Sequence, residues 1–139
     1  MVGNYKVITL CGSTRFKDEF YKAQKELTLE GNIVISVGLF GHSGDSEVWD
    51  NMSEGTLTKT KEMLDDMHKR KIDMSDEIFV INVNGYIGES TKSEIEYAIS
   101  SGKKVSYLED ILKWLKGDKY EFKRTNRKIY TIWWTRRKR

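Results

Sequence analysis

Short apolar segments alternate with amphipathic helical segments along this chain, and this alternation limits the possible folds more than any other feature of the sequence. Strands are predicted at residues 6–11, 33–37, 77–82 and 104–108, with a less regular fifth candidate at 128–134. Helices are predicted where apolar side chains recur at helical spacing, over residues 16–27, 56–74 and 90–101. The sequence therefore predicts an α/β, Rossmann-like (flavodoxin-like) parallel sheet of four to five strands with helices on both faces.

Two further elements follow from the same patterns. The mostly apolar residues of 33–37 predict a strand that is buried on both faces. A short helix is predicted over residues 110–115. The loop over residues 38–55 is long for a small domain, which is typical of a functional or a mobile segment.

One domain is expected, because a chain of 139 residues encloses a single core. We place its boundary after residue 110 and treat residues 111–139 as a basic, aromatic C-terminal extension. From residue 113 onward there are eleven Lys and Arg residues against two acidic ones. Such runs are usually solvated, and no nucleic-acid-binding module accompanies this one, so a nucleic-acid partner is not favoured. The apolar residues of 128–134 predict burial against the domain or a second subunit.

The composition indicates in which cellular compartment the protein is expected. The single cysteine, Cys11, cannot form an internal disulfide, which fits a reducing environment. No apolar stretch approaches the roughly 20 residues of a membrane span, and residues 1–5 lack the pattern of a signal peptide. We therefore expect a cytoplasmic protein without a membrane partner.

The loops after the first three strands are expected to form the binding site, because ligands of open parallel sheets bind beyond the carboxyl ends of the strands. The loop after the first strand contains Gly12, Ser13, Thr14 and Arg15, and free N–H groups at a strand-to-helix junction favour an anion such as phosphate. An equally weighted interpretation is that Ser13 or Thr14 caps the helix while Arg15 is solvated. The glycine fingerprint of dinucleotide-binding proteins is absent, so no cofactor is predicted.

Glu94 is the candidate nucleophile. The third strand is followed by a helix that opens at Ser90, and its first turn is expected to carry Glu94. The helix dipole stabilises an ionised carboxylate there, which suits nucleophilic attack at neutral pH. A glutamate in this position is more often a capping or surface residue, so position alone leaves both interpretations open. Glu96 lies about 200° further around the helix and is expected to point away from the same cleft.

Three motifs occur in a particular order: Cys-Gly-Ser-Thr-Arg at 11–15, Ser-Asp-Glu-Ile-Phe-Val at 75–80, and Ser-Glu-Ile-Glu-Tyr-Ala at 93–98, followed by Gly-Lys-Lys-Val at 102–105. With these motifs, the chain resembles the nucleoside 2-deoxyribosyltransferase-like superfamily, and especially its 2′-deoxynucleoside 5′-phosphate N-hydrolase branch. The resemblance covers residues 7–108 and leaves the C-terminal segment unexplained.

By this resemblance, Glu94 attacks the anomeric carbon of a ribose or deoxyribose as the base departs, as in retaining glycosidases. Water then completes hydrolysis, whereas a second base would complete transfer. In the hydrolase branch an arginine and small hydroxyl residues hold a 5′-phosphate, and Ser13, Arg15 and Ser90 stand at or near those places. Phe40 or Trp49 either stacks on the base or plugs the edge of the domain. The implied substrate-binding set is Gly12, Ser13, Thr14, Arg15, Phe40, Trp49, Gly88, Ser90 and Thr91.

The sequence leaves two candidates for the residue that protonates the leaving base. Relatives commonly place an acid two helical turns before the strand-leading aspartate, whereas this chain has His68 eight residues before Asp76. His68 can donate a proton near neutral pH, or Asp65, one turn away on the same helical face, can do so. The alternative is a packed His68 without a catalytic role, and Asp76 is expected to orient the site. No metal site is predicted, because His42 and His68 lack companion ligands.

The predicted function is hydrolysis of the N-glycosidic bond of a (deoxy)nucleoside 5′-monophosphate through Glu94. Two alternatives stay open, which are base exchange by a nucleoside 2-deoxyribosyltransferase and a non-catalytic domain that binds or senses a nucleotide. Relatives often complete their sites across a subunit interface, so a homodimer or larger assembly is expected.

Overall fold

A computed structural model describes residues 3–40, 44–50, 52–109, 121–124 and 130–133. Their helices and strands follow in the order β1 (Val7–Gly12), α1 (Lys17–Leu29), β2 (Ile33–Ile35), α2 (Ser46–Asp50), α3 (Glu54–Asp73), β3 (Glu77–Ile81), a 3-10 turn (Val83–Gly85), α4 (Glu89–Ser100), β4 (Lys104–Tyr107), β5 (Glu121–Arg124) and β6 (Tyr130–Trp133). The three long helices and four of the strands lie where the sequence predicts them. The helix predicted over 110–115 lies outside the described residues.

The described strands form one sheet in the order β2-β1-β3-β4-β6-β5. The first four are parallel to one another, which confirms the predicted α/β fold with a Rossmann-like parallel sheet. The fifth candidate strand corresponds to β6, but β6 is antiparallel to β4, and β5 continues the sheet as an antiparallel strand that the sequence analysis missed. The expectation that the second strand is buried on both faces is wrong, because β2 lies at the sheet edge and Ile33 is 51% exposed.

The two faces of the sheet carry separate cores, because side chains alternate along each strand. Ile8 and Leu10 of β1 belong to a core formed with α1. Cys11 belongs to the opposite core, together with Ile72 of α3 and Ala98 of α4. Helices therefore cover both faces, as predicted, and β1 presents Cys11 to α3 and α4.

Helices α3 and α4 have sharply defined ends. Ser53 caps α3 by accepting a hydrogen bond from the Thr56 N–H at 3.2 Å, a signal that the sequence analysis did not use. Gly102 follows α4 with φ +77°, a conformation that glycine adopts without strain, and it ends the helix as predicted. Among the described residues, every helix is too short or too polar to cross a membrane.

Candidate active site

A cavity of about 600 Å³ opens at the carboxyl ends of the parallel strands. It lies where neighbouring crossovers leave the sheet on opposite faces, between β1 and β3, which is the usual ligand site of this architecture. All three predicted loops contribute to it. Its walls contain Gly12, Ser13, Thr14, Arg15, Val37, Gly38, Leu39, Trp49, Leu57, Lys61, Leu64, Asp65, Met67, His68, Lys71, Tyr86, Gly88, Glu89, Ser90, Thr91 and Glu94.

Three ionisable side chains from different elements meet at the inner end of this cavity. Cys11 extends from β1 toward α3 and α4, His68 lies one helical turn before the buried Ile72, and Glu94 lies one turn before the buried Ala98. His68 Nε2 lies 3.5 Å from Cys11 Sγ and 3.8 Å from Glu94 Oε1. Strand alternation and helical periodicity thus bring together residues that are distant in the sequence.

Burial dominates the protonation of these three groups. It raises the pKa of Glu94 to about 7, an effect that the Cys11 hydrogen bond opposes and the charge of Asp65 reinforces. It lowers the pKa of His68 to about 4, together with the charge of Lys71, and raises the pKa of the Cys11 thiol well above its usual value. At neutral pH the imidazole and thiol are therefore uncharged, and the contact between His68 and Glu94 is a polar contact rather than an ion pair.

The structure corrects the expected position of Glu94 on its helix. α4 begins at Glu89, with Gly88 as its N-cap, so Glu94 lies in the second turn and not in the first. The helix dipole acts mainly within the first turn, whereas the Glu94 side chain is only 13% exposed. Burial outweighs the dipole and favours the neutral carboxyl, so the pKa of Glu94 rises instead of falling.

Ser13 and Tyr86 orient Arg15 at the cavity wall. Its Nε donates a hydrogen bond to Ser13 Oγ at 3.1 Å, and its guanidinium lies 4.6 Å from the centre of the Tyr86 ring. Ser13 Oγ also accepts a hydrogen bond from the backbone N–H of Arg15. Because α1 has Phe16 as its N-cap and lacks a side-chain cap, the alternative that Ser13 or Thr14 caps this helix is wrong.

The start of α4 forms another wall of the cavity. Gly88, Glu89, Ser90 and Thr91 all line it. The first N–H groups of a helix have no carbonyl partner within the helix, and a glycine N-cap has no side chain to bond them. This wall and Arg15 together can therefore bind an anion.

The two remaining aromatic candidates differ in position. Trp49, on α2, lines the cavity and can contact a bound ring. Phe40 is 6% exposed and packs edge-on against Phe20 in the core beneath α1. Phe40 is therefore a packing residue, as in the second interpretation, and it does not line the cavity.

The two candidate acids also differ. Asp65 is exposed on α3 and lines the cavity close enough to raise the pKa of Glu94. Asp76 lies at the amino end of β3, whereas the cavity lies at the carboxyl ends of the strands. Its Oδ2 accepts a hydrogen bond from the Val7 N–H at 2.8 Å. Asp76 therefore positions the start of β1 and does not orient the site.

Four polar residues of the cavity were missed by the sequence analysis, which are Lys61, Lys71, Tyr86 and Glu89. Lys61 and Lys71 lie on the same face of α3 as His68, at helical spacings that the sequence already contains. Lys71 Nζ donates a hydrogen bond to the Ser36 carbonyl at 2.9 Å, and burial lowers its pKa. Tyr86 follows the 3-10 turn, and no periodic pattern marks it.

The chain was compared with known protein families, curated proteins and solved structures. No protein-family model matches the chain, and neither a curated protein nor a solved structure matches it.

Proposed function

We propose that this protein hydrolyses the N-glycosidic bond of a (deoxy)nucleoside 5′-monophosphate, with Glu94 as the nucleophile. The observation that carries the proposal is a largely buried carboxyl group at the inner end of a cavity whose other walls supply Arg15 and the first turn of α4. The cavity volume of about 600 Å³ lies within the range of small-molecule sites. The resemblance to nucleoside 2-deoxyribosyltransferase-like proteins supports the same assignment, because its residues Ser13, Arg15 and Glu94 share this cavity.

The proposed reaction has two steps. In the first, ionised Glu94 attacks C1′, so that a C1′–O bond forms while the C1′–N bond breaks and the departing base takes up a proton. In the second, water attacks C1′, loses a proton, and releases the sugar phosphate and the free carboxylate. A pKa of about 7 leaves a substantial ionised fraction of Glu94 at neutral pH, which meets the requirement of the first step.

We assign to Asp65 the contact with the leaving base. His68 was the other candidate, but it is only 7% exposed and its Nε2 faces Cys11 and Glu94. Asp65 lies on the cavity wall formed by α3 and is exposed, so a bound base can reach it. His68 is then a positioning residue that contacts Glu94.

The phosphate is assigned to Arg15 and the start of α4. Ser13 and Tyr86 hold the Arg15 side chain, which reduces the conformational entropy that binding would otherwise cost. Ser90 and Thr91 add hydroxyl groups beside the helix N–H groups. Trp49 is the aromatic residue that we assign to the base.

The test is chromatographic release of free base from nucleosides and nucleoside 5′-monophosphates, with Glu94→Gln compared with Glu96→Gln. Glu96 is exposed on the same helix, so its substitution controls for the general effect of a lost charge. We expect release by the wild type and Glu96→Gln, a loss of at least about 1,000-fold in Glu94→Gln, and no loss with a chelator.

The outcomes separate the alternatives. A new nucleoside formed when a second base is added identifies a deoxyribosyltransferase. A nucleotide that stays bound and intact during long incubation identifies a binding domain and removes the catalytic proposal.

A homodimer and a cytoplasmic location also belong to this proposal. The single cysteine supports the reducing compartment. The molecular mass in solution tests the dimer, and a monomeric mass at catalytic concentrations contradicts it.

A further inference from the structure

Three potential metal ligands converge at the inner end of the cavity. One ligand atom each from Cys11, His68 and Glu94 lies within 4.8 Å of the other two. Cys11 is 0% exposed and His68 is 7% exposed, so these atoms face one another rather than bulk water. Buried polar atoms normally have partners that satisfy them, and here the partners include one another.

The cluster does not have the arrangement of a catalytic triad. In a triad, the two nitrogens of the histidine face different partners, whereas His68 Nε2 faces both the thiol and the carboxyl. Cys11 is also fully buried behind the two residues that line the cavity, out of reach of a substrate. The three atoms instead surround one point, which is the arrangement of a coordination site.

We propose that Cys11, His68 and Glu94 bind one zinc ion at the inner end of the cavity. With Zn–S of about 2.3 Å and Zn–N of about 2.0 Å, a tetrahedral site separates S and N by about 3.5 Å, and the observed separation is also 3.5 Å. The observed separation of 3.8 Å between His68 Nε2 and Glu94 Oε1 exceeds the tetrahedral value by about 0.4 Å. Rotation of the carboxylate takes up that difference.

The chemistry of the donors selects zinc over magnesium and calcium. Thiolate and imidazole are preferred by zinc, while the two lighter ions prefer sites made of oxygen alone. On binding, the Cys11 thiol loses its proton to solvent and the sulfur forms the metal bond. The His68 ring also makes a hydrogen bond with the backbone of Leu10, the type of contact that orients metal-bound histidines.

The fourth coordination position faces the cavity. His68 and Glu94 line the cavity wall, and Cys11 lies behind them, so an ion among the three has its open side toward the bound ligand. The ion also binds a carboxylate oxygen of Glu94. If Glu94 is the nucleophile, zinc binding and base release exclude each other, and zinc is an inhibitor.

The test uses cobalt(II) as a spectroscopic probe of the purified full chain, with zinc added as competitor. We expect one cobalt per chain, intense tetrahedral visible bands, and a thiolate-to-cobalt charge-transfer band that zinc abolishes. Cys11→Ser should remove the charge-transfer band, and Glu94→Gln should weaken binding at least about tenfold. Glu96→Gln, on the exposed side of α4, should bind like the wild type.

Three results overturn the site: no cobalt uptake by the folded wild type, a six-coordinate spectrum without the charge-transfer band, or wild-type binding by both ligand variants. Thermal unfolding without metal shows whether Cys11→Ser is folded, and if it is not, Glu94→Gln decides the question. The spectra need no substrate, so the metal site and the proposed hydrolase activity fail or succeed separately.

Discussion

The carboxyl group of Glu94 is subject to two opposing influences. Burial and the nearby charge of Asp65 favour its neutral form, while Cys11 and Lys69 favour the ionised form. The result is a group whose pKa is raised to about 7, so both forms are present in the cell's usual pH range. The ionised fraction supplies the carboxylate that the proposed attack on a sugar requires.

Arg15 has a specific expected effect on substrate choice. Arg15→Ala should raise the KM for a nucleoside 5′-monophosphate about tenfold, the effect of about 1.4 kcal/mol, and leave the KM for the free nucleoside unchanged. Steady-state kinetics on both substrates check this. Arg70→Ala is the control, because Arg70 pairs with Asp73 on α3 and is not a cavity residue. Equal effects on both substrates would show that Arg15 does not contact the phosphate.

Asp76 has a structural role that a single variant tests. Asp76→Ala removes the acceptor of the Val7 N–H, which should lower the free energy of unfolding by about 1 kcal/mol and leave kcat/KM unchanged. Denaturant unfolding and base-release kinetics measure the two effects. Asp66→Ala, on the exposed side of α3, should change neither. A large loss of activity in a stable Asp76→Ala protein would restore the catalytic role suggested by the sequence.

α3 gives the site four ionisable side chains. Lys61, Asp65, His68 and Lys71 recur at spacings of three or four residues and line the cavity on one helical face. Ile72 is buried one turn after His68 and fixes the rotation of the helix. Packing of α3 against the sheet therefore decides which of its polar residues reach the cavity.

The end of β1 approaches β3 closely, and Gly12 makes this approach possible. A Cβ atom at Gly12 would lie 3.0 Å from both the Cβ and the carbonyl oxygen of Ile81, and the φ of +155° disfavours other residues. Gly12→Ala should therefore destabilise the protein by about 2 kcal/mol. Gly55→Ala, in α3 with open space around it, should stabilise by about 0.5 kcal/mol. Thermal unfolding of both variants checks the contrast, and equal melting temperatures would contradict it.

The strand order of the sheet decides where the cavity lies. The reversal of strand order at β1 sends α1 to one face of the sheet and α3 and α4 to the other. This arrangement leaves a crevice beyond β1 and β3, and side chains from both sides of the reversal fill its walls. Residues from distant parts of the sequence therefore line one cavity.

The antiparallel strands at the end of the chain protect β4. β6 pairs with Val105, Ser106 and Tyr107, so removal of residues 111–139 exposes the backbone edge of β4. The shortened chain should melt at least about 4 °C lower and associate with increasing concentration. Removal of residues 134–139 alone, which spares β5 and β6, should change little. Calorimetry and size-exclusion chromatography measure both effects, and identical behaviour of the two truncations would contradict this role of β6.

The sequence by itself determined the parallel α/β sheet, the three long helices and the loops that form the cavity. These depend on apolar periodicity and on turn residues, which are local properties of the chain. It also predicted that Glu94 and Arg15 lie at the cavity, because the loops after the strands of such a sheet meet at one edge. Asp65, which also lines the cavity, was predicted from its helical spacing with His68.

Only the tertiary structure decided the roles that depend on burial and on contacts between distant elements. Phe40 and Asp76 follow the local patterns of site residues, yet packing places one in the core and the other across the sheet. The same packing surrounds Glu94 and raises its pKa, and it gives His68 the partner Cys11, which lies 57 residues away in the chain. Neither desolvation nor such a contact is a local property, so no pattern in the sequence could reveal it.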